Sequence, residues 1–208
     1  MSGEGWRRAA LAAGIMGSLT GLSGCGPMIA GAAAGAVGLG VAQERSTRDA
    51  LSDLETQVAI NNALMNHSGA LFRGVQIGVS EGRVLLTGAA PSADDAVAAV
   101  EIAHAQSGTR EVINELSVEG RSAEQAARDA WITAELRARL IGEAGLDSVD
   151  VNIETYDGVA HLIGVVASRD AIRRAAAAAA GTPGVRRVVS HLLIIDDPRR
   201  AAADAPGA

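Results

Sequence analysis

The chain has 208 residues, a formal net charge of −6, and 18 basic residues that are all Arg. That length suits one ordinary domain or two small ones, and the acidic balance excludes a general nucleic-acid binder. Trp6, Phe72, Trp131 and Tyr156 are its only aromatic residues, so cores must be built from Ala, Val, Leu and Ile, and the single Cys25 excludes an internal disulfide. The exclusive use of Arg reads as codon bias first, although its planar fork also suits phosphate.

At the start of the chain, Arg7 and Arg8 precede an apolar stretch from Ala9 to Leu22, which runs into Leu22-Ser23-Gly24-Cys25. A cationic start, an apolar segment and small residues before a cut form an export signal. The last four residues resemble the bacterial lipobox: an aliphatic residue, two small residues, then cysteine. The resemblance implies that residues 1–24 are a signal peptide and that Cys25 is lipidated and becomes the mature N-terminus. A buried free thiol is the alternative, and it fits poorly with a cysteine set among glycines. The mature chain would carry 16 Arg against 23 acids, a net charge of −7. Gly26 follows the cysteine where Asp would favour inner-membrane retention, which implies the outer membrane, with the protein facing the periplasm.

Residues 25–53 read as a Gly/Ala-rich tether. Ala30 to Ala42, AGAAAGAVGLGVA, is too short and glycine-rich for a membrane span. Gly31 and Gly35 have small-xxx-small spacing, a pattern that arises easily by chance in such a run.

Beyond the tether the chain repeats itself. Leu54 to Val118 aligns without gaps to Ala130 to Ile194 at an offset of 76, with 15 of 65 positions identical. Glycines and core aliphatics repeat, among them Leu64/Leu140, Val75/Val151, Ile77/Ile153, Gly82/Gly158, Leu86/Leu162, Gly88/Gly164 and Gly108/Gly184. Each unit predicts helix, strand, strand, helix, strand. Ile60 and Leu64, or Ile132, Leu136 and Leu140, mark one face of the first helix. Val75 to Val79 and Val151 to Thr155 alternate as strands with one buried face. Glu81-Gly82 and Asp157-Gly158 predict hairpin turns. The strands return over Arg83 to Gly88 and Val159 to Gly164. Ser92 and Ser168 are placed to cap alanine-rich helices, with Asp94, Asp95 and Asp170 in the first turns. A third strand follows in each unit, joined by a right-handed crossover. The fold class is therefore α+β: two tandem αββαβ units, each a three-stranded mixed sheet with two helices on one face. The units span residues 54–118 and 130–195. Residues 119–129 read as a linker and 196–208 as a disordered tail.

The order of elements, Gly82-Arg83-Val84-Leu85-Leu86-Thr87-Gly88 and Gly184-Val185-Arg186-Arg187-Val188 resemble the BON domain, a module of bacterial envelope proteins. The first unit departs at Thr109, where the second has the usual Val185. With the lipobox and Asp129-Ala130-Trp131-Ile132-Thr133 opening the second unit, the chain resembles dual-BON outer-membrane lipoproteins, including the division- and outer-membrane-localised lipoprotein group. That resemblance implies anionic-phospholipid binding by the second unit and a role in outer-membrane integrity.

Catalysis needs a positioned acid, base, nucleophile or metal, and His67, His104, His161 and His191 stand alone in the sequence. For His161 and His191, within strands, an outward-facing imidazole is the ordinary reading. No catalytic residue, metal site or cofactor is predicted, and Gly38-Leu39-Gly40 follows no strand and lacks the remainder of a phosphate loop.

The two units differ in ways that point to function. Trp131 replaces Glu55, and the first unit has three Arg against seven acids where the second has seven against seven. On a helix Trp131 lies about 100° from Ile132 and above Glu135 and Ala138, at the edge of the buried stripe. It can sit at a membrane interface or pack against a sheet edge or the other unit. Arg137 and Arg139 share its helix, and Arg173 and Arg174 lie on the next. Trp131, Ile132, Glu135, Arg137, Ala138, Arg139, Arg173 and Arg174 are the candidate lipid-contact residues, with anionic phospholipid as partner. The other reading of these arginines is a solvated, salt-bridged surface. The rival for function is an adaptor for another envelope protein, using a sheet edge or the Trp131 surface.

Overall fold

A computed structural model describes residues 42–142 and 151–201. The expected lipidation site Cys25 and most of the expected tether lie outside the described residues.

In the first unit α1 (Ala42–His67) is followed by a short α2 (Gly69–Gly74), β1 (Val75–Ser80), β2 (Arg83–Ala89), α3 (Ala93–His104) and β3 (Glu111–Ser117). The second unit has α4 (Ala123–Gly142), β4 (Val151–Tyr156), β5 (Val159–Val166), α5 (Arg169–Ala180) and β6 (Arg187–Ile194), and α6 (Pro198–Ala201) follows. Each sheet has its second strand in the centre, antiparallel to the first and parallel to the third. The repeat thus folds twice as the mixed αββαβ sheet that its pattern predicts. Ile60, Leu64, Ile77, Leu86, Ala99 and Ala103 fill the first core. Leu136, Leu140, Ile153, Leu162, Ala175 and Ala179 fill the second. Alanines at the helix contacts let the helices approach the sheets closely.

Local chemistry sets the element ends. Ser92 and Ser168 accept hydrogen bonds from Asp95 N and Ala171 N as N-caps of α3 and α5. Glu81 and Gly82 have φ of 51° and 71°, and Asp157 and Gly158 have 47° and 71°. Positive φ at both central residues makes two-residue turns whose twist matches the strands they join.

Four features depart from the sequence reading. α1 takes in residues 42–53, assigned above to the tether. Ser68 caps α2, accepting from Ala70 N and Leu71 N, so a helix stands where none was predicted. Most of the expected linker is helical, because Ser122 and Gln125 form a reciprocal capping box: Gln125 N donates to Ser122 Oγ (3.2 Å) and Ser122 N to Gln125 Oε1 (2.8 Å). The tail is ordered at its start, where Pro198 opens α6 and Arg200 Nε reaches Glu81 Oε2 at 2.7 Å.

The units pack sheet against sheet. Leu85, Ile163 and Leu193 are almost wholly buried yet belong to neither helix-facing core. Gly78 lets β4 and β5 come close, since a Cβ there would lie 3.3 Å from Ile163 Cγ2 and 3.7 Å from Asn152 Cβ. Asn152 Nδ2 donates to Val79 O (2.6 Å), and Arg83 Nη1 to His191 O (2.8 Å). The outward-facing imidazole expected at His161 therefore does not reach solvent, the residue being 3% exposed. The face that alternation marks as outward is covered by the other unit's sheet.

Candidate functional site

The second unit carries an apolar groove beside its β4–β5 turn, and one carboxylate sets its geometry. Asp129 on α4 accepts from Asp157 N and Gly158 N, both at 2.8 Å, and is ion-paired with Arg121. Asp53, 76 residues earlier, does the same on α1, accepting from Glu81 N (2.7 Å) and Gly82 N (2.8 Å). Burial raises the Asp53 pKa above its ordinary value, against the lowering effect of those two bonds. Arg121 also donates to Thr155 O at 3.1 Å and lies over the Tyr156 ring, 4.6 Å from its centroid. The start of α4 is thus fastened to the hairpin.

Trp131, two residues beyond Asp129, stands at the mouth of the groove with 54% of its surface exposed. The groove encloses about 280 Å³ between Arg128, Trp131, Ile132, Gly158, Gly184 and Arg186, with Gln125, Asp129 and Asp157 also in its lining. Ile132 forms its buried floor. Gly184 holds it open, having φ of +89° and standing where a Cβ would come within 2.9 Å of Ile132 Cδ1. An amphipathic indole over an apolar recess with guanidinium groups at the rim can take an acyl segment or an apolar side chain near an anionic group.

The candidate residues divide around this groove. Trp131 and Ile132 line it, Trp131 at the mouth and Ile132 as part of the core, 3% exposed. Arg137 and Ala138 are exposed farther along α4, outside its lining. Glu135 and Arg139 pair with each other at 3.1 Å, and Arg139 also donates to Gly181 O. Arg173 and Arg174 both pair with Asp170 on α5, so they follow the salt-bridged reading weighed above. Arg128 and Arg186 line the groove instead, and they are ion-paired as well, Arg128 with Glu124 at 2.6 Å and Arg186 with Asp157, to whose backbone O it also donates from Nε at 3.0 Å. Arg128 was missed because it lies two residues before the aligned repeat begins, in the stretch read as linker.

Burial raises the Glu154 pKa to about 7, outweighing the pull of Arg137 and Arg121. Arg137 therefore acts on a carboxyl of its own unit as well as presenting charge to solvent. No helix among the described residues is long and apolar enough to cross a membrane.

The chain is a duplicated αββαβ module with its sheets packed together and an exposed groove on its second copy. Both units match the BON domain model, over residues 52–120 and 128–196, and the chain belongs to the BON-domain family. It is 29% identical to outer membrane lipoprotein DolP of Haemophilus influenzae over 88% of this chain and 94% of that protein. An uncharacterized protein in the gshII 5' region of Anaplasma centrale is 33% identical over 68% of this chain and 94% of its own length. Osmotically-inducible protein Y of Escherichia coli is 30% identical over 68% of this chain and 72% of that protein.

Proposed function

We propose that this is a non-enzymatic envelope lipoprotein, anchored in the outer membrane through Cys25, whose second BON unit binds anionic phospholipid and supports outer-membrane integrity. The exposure of Trp131 over an apolar groove rimmed by Arg128 and Arg186 carries this reading. The similarity to an outer membrane lipoprotein along 88% of the chain supports the location. A surface cation near an anionic leaflet contributes about 1 kcal/mol, so a few arginines and one inserted indole give weak, reversible docking. A lipid at Cys25 makes weakness sufficient, because a tethered domain works at high effective lipid concentration. Arg137, exposed on the same helix, adds long-range attraction without lining the groove.

Removal of residues 1–25 takes away the anchor and leaves Trp131 as the sole Trp. That protein is expected to co-sediment with phosphatidylglycerol vesicles at low salt and not with phosphatidylcholine vesicles, with a blue shift of Trp131 fluorescence. Trp131→Ala combined with Arg128→Ala should weaken binding about tenfold or more, and Trp131→Ala with Arg137→Ala comparably. Indifference to anionic vesicles, or unchanged binding by these variants, refutes the lipid reading.

A second reading, an adaptor for another envelope protein, is favoured by α1. Leu51, Leu54, Val58 and Met65 are all at least 44% exposed and share one helical face. Substitution of that face in cells should reproduce the loss-of-function phenotype if the adaptor reading holds, with vesicle binding intact.

A further inference from the structure

Three side chains far apart in the sequence meet between the sheets. Glu115 comes from β3 of the first unit, His161 from β5 and His191 from β6 of the second, and a ligating atom of each lies within 4.8 Å of the others. His191 Nε2 and Glu115 Oε1 are 3.2 Å apart. His161 is 3% exposed, and its Nδ1 is buried with no hydrogen-bond partner. A buried polar atom left unpaired costs about 1–3 kcal/mol, so the unpaired nitrogen needs a reason.

We infer that Glu115, His161 and His191 form a binding site for a zinc-type divalent ion that ties the two BON units together. Two imidazoles and one carboxylate are a zinc donor set, with solvent completing a tetrahedral shell. Ligands about 2.0–2.1 Å from a tetrahedral ion stand about 3.3 Å from one another, so the His191–Glu115 spacing of 3.2 Å already fits, and the His161 ring, within 4.8 Å of both, closes the third side by moving up to about 1.5 Å. The strands are held ready without the ion. Arg83, 5% exposed, donates from Nη1 to His191 O (2.8 Å) and from Nε to Glu111 Oε2 (2.7 Å), fixing β6 against the first unit. Glu115 and His191 occupy the same position in the two repeats, 76 residues apart, so equivalent points of β3 and β6 each supply a ligand.

The test is direct titration of the full-length, chelator-stripped protein with Zn²⁺ by calorimetry, and with Co²⁺ by visible absorption. One equivalent should bind per chain, Co²⁺ should give a tetrahedral visible spectrum, and Zn²⁺ should raise the Tm. His161→Gln, His191→Gln and Glu115→Gln should each weaken binding about tenfold or more and abolish the Tm increase. His67→Gln with His104→Gln, two exposed histidines outside the cluster, should change neither. Glu115→Gln is part-exposed and isosteric, so it reports on the site even if a buried His variant fails to fold. Absence of saturable binding in the wild type, or stoichiometric binding that survives Glu115→Gln, overturns the site.

Discussion

At the residue scale Asp129 controls the second unit most directly. It is 3% exposed, closes the β4–β5 turn through two backbone donors and neutralises Arg121. Removing it strands two N–H groups and a largely buried guanidinium, so Asp129→Ala should cost about 3 kcal/mol in urea denaturation and loosen the groove under Trp131. Glu154 gives a pH signature. Its folded pKa of about 7 lies above the unfolded 4.5, so its contribution is fully present below pH 4.5 and lost as pH rises through 7. Glu154→Gln should therefore leave Tm at pH 4.5 nearly unchanged and raise stability at pH 8 by about 1–3 kcal/mol. Gly82, Gly158, Ser92 and Ser168 were legible in the sequence because turn and cap chemistry is local. Asp53 and Asp129 were not read as turn clamps, since the contact spans a helix and a hairpin 28 residues apart.

At the element scale, helical periodicity sorted faces well. Ile132, Leu136 and Leu140 are 3%, 0% and 4% exposed, and Trp131 stands outside that stripe as its phase predicts. α1 shows the contrast most clearly, with Ile60 and Leu64 fully buried and Leu54 and Val58 half exposed. Leu64→Ala should cost about 2–5 kcal/mol by thermal denaturation, whereas Leu54→Gln with Val58→Gln should change stability by about 0.5 kcal/mol or less. What periodicity could not give was the beginning of α4, because the capping box of Ser122 and Gln125 lies ahead of the apolar stripe. For that reason Arg128 falls in the stretch that the sequence pattern marks as linker.

For the whole molecule, the sheet-to-sheet layer decides cooperativity. Leu85 is fully buried and outside both helix-facing cores, in a layer shared by the two units. The two BON units should unfold in one transition, and Leu85→Ala should cost about 2–5 kcal/mol and separate the transitions by calorimetry. The same layer accounts for the buried Arg83 and His161, which a unit folding alone would leave in water.

The sequence by itself determined the duplication, the αββαβ order, the turns, the caps and the inward faces of the helices, because each follows from residue chemistry within a few positions. Tertiary structure decided the rest. It put Arg128 and Arg186 at the rim of the Trp131 groove and brought Glu115, His161 and His191 together. Alternation along a strand says which side chains share a face. Whether that face meets water or another sheet depends on contacts such as Asn152–Val79 and Arg83–His191, 73 and 108 positions apart, and local pattern does not encode them.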